Sequence, residues 1–133
     1  MSATATQLWT PERATRALPL VRRIADDLVR TYAEWRSLMA QFEVANIATV
    51  PDRPDSEAVR LQKEVQRAAA EIEGFMRELA ELGVECKSLE TGLFDFPGER
   101  EGRPVYYCWM HGERSVSHWH EIDAGFSGRQ PLP

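Results

Sequence analysis

Nowhere in the 133 residues does an apolar run approach the roughly eighteen positions that a membrane helix requires. The opening "MSATATQLW" has neither the basic start nor the apolar stretch of a signal peptide, so the expected location is the cytoplasm, in soluble form. Blocks of like charge are also missing. Lys and Arg number 16 against 21 Asp and Glu, a net charge of −5, which leaves no basic footprint for a nucleic acid. Neither a nucleic acid nor a membrane is an expected partner. Cysteine is scarce, and Cys86 and Cys108 are not spaced as a zinc ligand pair. In a reducing compartment both are expected as thiols used in packing. No Ser-His-Asp or Cys-His nucleophile pair stands out, so a hydrolytic or redox enzyme has little support.

What is present is an ordinary globular composition, 43% apolar and 28% charged, in a chain the length of one domain, expected to span 1–133. In "WTPERATRALPLVRRIADDL", Thr10 is a helix N-cap, Pro11 suits the first helical position and Glu12 complements the positive end of the helix dipole. Pro19 lacks an N–H and is expected to break or kink that helix. From Val21 the apolar positions Ala25, Leu28, Tyr32, Trp35, Met39 and Phe42 step by four and three, the seam of a helix packed along another helix. Ile24 and Leu38 widen the stripe. The prolines of "ATVPDRPDS" interrupt it, with Asp55 or Ser56 as the next cap. A second seam follows at Ala58, Leu61, Val65, Ala68, Ile72, Phe75, Leu79 and Leu82, ending at Gly83 as a left-handed C-cap. These two helices carry more apolar face than one partner covers, which predicts a homodimer through the helices.

After Gly83 the period changes from about 3.6 to 2, and "LFDF", "PVYYCWM" and "SVSHWH" read as three short strands. Glu101-Gly102 and His111-Gly112 are candidate two-residue turns. With the second turn tight, Val105 pairs with His118 and Tyr107 with Val116, which puts Val105, Tyr107, Trp109, Val116, His118 and His120 on one face. The expected fold class is α+β: a long antiparallel helical hairpin over 10–83, then a small three-stranded antiparallel β-meander and an ordered C-terminal tail over 84–133.

"GLFDFPGEREGRPVYYCWMHGE" and "WHEIDAGFSGRQPL" resemble the C-terminal signature of a bacterial family of unknown function, domain-of-unknown-function family 2203, and the opening "WTPERATRALPLVR" is similar to the start of that family. The resemblance covers nearly the whole chain. It implies no activity. At His118 this sequence departs from the family pattern, which more usually carries an aromatic or apolar residue.

The tail concentrates polar chemistry. His118 and His120 sit two apart on one strand, so both imidazoles point to the same side, and Glu121 adds an oxygen donor; such a set suits zinc, nickel or iron. Asp95 and Asp123 are further oxygen donors. Against this stands a structural lock, in which His120, Glu121, Asp123 and Arg129 satisfy one another and the nearby backbone. The planar guanidinium of Arg129 suits a clamp on Asp95, Glu113, Glu121 or Asp123, or on an anionic ligand. "DAGFSGRQP" lacks the Lys-Ser/Thr ending of a phosphate loop; its glycines serve turns, with Phe126 expected as an anchor in the core. Two functions remain: a self-associating interaction or structural module, and a metal-binding protein with a His/carboxylate site in the C-terminal segment.

Overall fold

The structure, a computed structural model, describes residues 8–47 and 56–133. Helix α1 runs Pro11–Ile47 and α2 runs Ser56–Leu82. Five strands follow: β1 Glu85–Ser88, β2 Leu93–Arg100, β3 Arg103–Met110, β4 His118–Glu121 and β5 Gln130–Pro131. The proline-rich link and Asp55 lie outside the described residues.

Helix α1 starts where its capping chemistry allows. The Arg13 N–H donates to Thr10 Oγ1 at 3.1 Å, and the Ala14 N–H bonds the Thr10 carbonyl. It then continues through Pro19 without the expected break. Pro19 is exposed while Leu18 and Val21 beside it are buried, so packing on both sides holds the helix across one missing hydrogen bond. Helix α2 ends in a Schellman turn: Gly83 takes φ +82°, its N–H bonds the Ala80 carbonyl, and the Val84 N–H bonds the Leu79 carbonyl. Val84 is buried as the motif requires.

The two helices pack as an antiparallel pair. Val44 and Ala45 of α1 lie beside Glu57 and Leu61 of α2, whereas Glu34 meets Arg67 at 3.3 Å, so α2 ascends as α1 descends. Only the proximal half of the hairpin meets the sheet. The principal core takes α1 from Ala14 to Leu28 and α2 from Ile72 to Leu82, with Phe94, Phe96, Val105, Tyr107, Trp109 and Trp119 from the sheet. Ile24, expected on a surplus face, is covered within this core.

All strands are antiparallel, in the order β1-β2-β3-β4-β5, so the sheet is two short strands wider than the expected meander. Glu101 and Gly102, both at positive φ, make the tight β2–β3 turn that their sequence indicates. At Gly98 an added Cβ would lie 2.6 Å from the Trp9 carbonyl oxygen and 2.3 Å from the Tyr107 ring. The close approach of the chain before α1 to β2 therefore requires glycine there.

The second connection is not a tight hairpin. Val105 pairs with Glu121, Tyr106 with His120 and Cys108 with His118. Relative to the expected pairing of Val105 with His118 this is an odd-numbered slip, which moves both histidines to the opposite face. The cause lies in residues 111–117, which leave the sheet to pack on α1. The Val116 N–H donates to Thr15 Oγ1 at 3.1 Å, Arg22 reaches the carbonyls of Glu113 and Arg114, and Trp109 Nε1 donates to the Glu113 carbonyl at 2.8 Å. One face of the sheet thus meets the helices through aromatics. The other carries Asp95, Tyr106, Cys108, His118 and His120.

Candidate functional site

The second face is built by strand alternation. In "LFDF", Phe94 and Phe96 enter the core, so Asp95 between them must point the other way. Asp95 lies opposite Cys108 in the β2–β3 ladder, and His120 lies opposite Tyr106 on β4. Asp95, Cys108 and His120 are all buried, and one ligand atom from each lies within 4.8 Å of the others. Among the described residues this is the set of His, Cys, Asp and Glu groups that converges on one point.

His120 is held from both sides. Nδ1 lies 2.7 Å from the Glu121 carbonyl, an acceptor only, so Nδ1 carries a proton. Nε2 faces Asp95 Oδ2 at 3.0 Å. Asp95 Oδ1 is buried with no hydrogen-bond partner. Burial pushes the Asp95 carboxyl above its ordinary value, against the lowering influence of His120 and of a hydrogen bond from the Cys108 thiol. Burial also pushes the Cys108 thiol up to about 12, with the Asp95 charge acting in the same direction, so the free thiol is inert as a nucleophile.

Asp95 and His120 open onto a cleft of about 510 Å³, walled by Leu93, Ile122, Phe126 and the Tyr106 ring, with Lys87 and Asp123 also lining it. Tyr106 packs on His120, ring centroids 5.4 Å apart, and its hydroxyl contacts Glu85 at 3.2 Å. Phe126 is 53% exposed and forms part of this wall, not an anchor in the core. The tail is tied down instead by Leu132, which packs against the core and whose N–H bonds the Ser117 carbonyl.

The residues singled out from the sequence separate into different places. His118, His120 and Glu121 do not converge. His118 Nδ1 lies 3.8 Å from Glu113 Oε2, and Glu121 pairs with Arg103 at 2.7 Å. His120 joins Asp95, and Asp123 lies on the cleft wall. Arg129 bonds Glu113 at 2.7 Å, with the Met110 N–H also donating to Glu113 Oε1 at 2.7 Å. The side chains of His120, Glu121, Asp123 and Arg129 therefore do not pair with one another, while two of them do meet the nearby backbone, His120 at the Glu121 carbonyl and Arg129 at the Cys108 carbonyl. Cys108 was not among the expected donors. Its signal was its place opposite Asp95, which becomes visible only with the β2–β3 register.

The Glu113–Arg129 pair is mostly buried, and its effect on stability has a definite sign. Burial alone would raise the Glu113 carboxyl, but the hydrogen bonds from Arg129 and the Met110 N–H outweigh it and hold it below the usual carboxylate range. A depressed folded-state pKa contributes stability above the unfolded value of about 4.3 and loses it as pH falls through the folded value. Arg129→Ala is expected to cost about 1–3 kcal/mol at neutral pH, and the gap from the parent protein should narrow below about pH 4. Urea denaturation at pH 7 and pH 3 measures both; an unchanged gap would show that the pair is not the source.

No helix among the described residues is long and apolar enough to cross a membrane. No match is found among curated proteins or among solved structures. A model of the family described as "Uncharacterized conserved protein (DUF2203)" matches residues 7–132, nearly the whole chain. The chain therefore belongs to the DUF2203 family.

Proposed function

We propose that this protein binds a divalent transition metal through Asp95, Cys108 and His120. The observation that carries this reading is the convergence of three buried donors, one of them a carboxylate with an unpartnered buried oxygen. A buried carboxylate oxygen without a partner costs stability unless something satisfies it. The donor set suits the task. Nitrogen, oxygen and thiolate together favour zinc, with nickel and iron as competitors. His120 has the second support that metal-bound histidines have, its other ring nitrogen held by a backbone carbonyl. Ligand bonds of about 2.0–2.1 Å at a tetrahedral ion separate nitrogen and oxygen by roughly 3.3 Å, close to the 3.0 Å between His120 Nε2 and Asp95 Oδ2. Binding would also release the Cys108 proton, because a metal-bound thiol is a thiolate.

Metal analysis of protein purified without a histidine tag or chelator tests this. About one equivalent is expected, lost in both Cys108→Ala and His120→Ala and retained in His118→Phe. Metal-free parent protein that also fails to take up added zinc would overturn the reading, as would dependence on His118 in place of Cys108.

A second reading, self-association, is favoured by the distal half of the hairpin. There Val44 is 70% exposed, Ile47 84% and Val59 40%, while half-buried Leu38, Met39 and Phe42 continue the same seam. Two-helix arms of this kind bury such positions by pairing with a second copy into a four-helix arrangement. The two readings are compatible, since the arm is remote from the cleft. Light scattering at tens of micromolar is expected to give twice the chain mass, falling to the chain mass in a Val44→Glu/Ile47→Glu variant; a monomer in the parent protein would remove this reading.

A further inference from the structure

Resting on the metal reading above, we infer that the ion's remaining coordination position faces the cleft and accepts an exchangeable small molecule, a carboxylate or its hydroxamate analogue carrying an apolar body. Asp95 and His120, although buried, line the cleft and Cys108 does not, so the cleft is the side from which the three donors are reached. No fourth His, Cys, Asp or Glu among the described residues joins the three. His118, the next such group on the same face of the strand, has its Nδ1 3.1 Å from Ser117 Oγ and 3.8 Å from Glu113. Structural zinc sites are closed by four protein ligands, whereas sites that bind substrate keep three and leave one position to solvent or ligand.

The cleft defines what reaches that position. Its volume of about 510 Å³ is within the range of small-molecule pockets. Ile122, 48% exposed, and Phe126, 53% exposed, are large apolar side chains beside a polar floor. Together with Leu93 they offer an apolar wall to the body of a ligand whose head meets the ion. Lys87, at the same cleft and 4.5 Å from the Tyr106 ring centroid, pairs with Glu85 at 2.6 Å, and Asp123 lies on the same wall, so the wall has no surplus positive charge. The ion itself is what attracts the head, an oxygen donor whose negative charge it neutralises. Ser88 and Thr91 supply hydroxyls on the same wall.

The test uses the full chain loaded with cobalt(II) in place of its native ion. A thiolate-to-cobalt absorption in the near ultraviolet reports Cys108 ligation, and the visible d–d bands report the coordination position. Titration with benzohydroxamate is expected to change the d–d bands saturably while the thiolate absorption persists. Acetohydroxamate, which lacks the apolar body, should bind at least roughly tenfold more weakly. An Ile122→Ser/Phe126→Ser variant should remove that preference and leave the thiolate absorption intact. Unchanged d–d bands at millimolar benzohydroxamate, or stripping of the cobalt with loss of the thiolate band, would overturn the open position and leave the metal reading standing. Absence of any thiolate band in loaded protein would overturn both, and equal affinity for the two hydroxamates would overturn the apolar wall.

Discussion

Trp109→Ala is expected to cost about 3–5 kcal/mol, a large share of the 5–15 kcal/mol typical of a domain. The indole is fully buried at the centre of the sheet face that meets the helices, with the Phe94 ring 5.6 Å away and the Arg22 guanidinium 5.8 Å from its centroid. Truncation leaves a cavity that rigid neighbours on two layers cannot close. It also removes the shorter of two hydrogen bonds to the Glu113 carbonyl, Trp109 Nε1 at 2.8 Å against Arg22 at 3.5 Å, and so loosens the connection that sets the β4 register. Trp109→Phe keeps much of the volume and loses the hydrogen bond, so a smaller loss of about 1–2 kcal/mol is expected. Urea denaturation of both variants checks this. A loss under about 0.5 kcal/mol for the alanine variant would remove Trp109 from the core.

Asp95→Asn is expected to act in two opposite directions: stoichiometric metal is lost, and the metal-free protein becomes more stable by about 1–2 kcal/mol. Because Nδ1 of His120 donates to the Glu121 carbonyl, Nε2 meets Asp95 either as an acceptor that lacks a donor or, with a second proton, as half of a buried ion pair. A carboxylate supplies no donor unless a proton is taken up, and its other oxygen is buried unpartnered. An asparagine amide of the same shape donates to Nε2 directly and buries no charge. A residue kept at a cost to stability points to a ligand. Metal content and a denaturation curve in chelator, measured on one preparation, decide it. A variant that loses stability in chelator would show Asp95 to be structural, and one that keeps its metal would exclude it as a ligand.

Much of the fold is legible in local pattern because local physics dictates it. Thr10 and Pro11 start a helix, the three-four seam from Ala58 to Leu82 needs a helix to make one face, and Gly83 ends it in a conformation that costs other residues energy. Glu101-Gly102 likewise specifies its turn. Pro19 misleads because a single missing hydrogen bond is outweighed by buried contacts on either side, which no local window contains.

The candidate site was legible only in fragments. Asp95 stood out as an oxygen donor and a possible partner of Arg129, and His120 as a histidine among aromatics on a strand. Their meeting, and the arrival of Cys108 between them, depend on register across three strands. The Glu101-Gly102 turn sets the β2–β3 half of that register; the β3–β4 half is set by hydrogen bonds to helix α1, made by Val116 to Thr15 and by Arg22 to the 113–114 carbonyls, between residues about a hundred positions apart or nearly so. The sequence by itself determined the hairpin, the strand-rich second half, the tight β2–β3 turn and the family. Only the tertiary structure decided which sheet face holds the histidines, because side chains alternate with a period of two and an odd slip, fixed from outside the sheet, exchanges the faces.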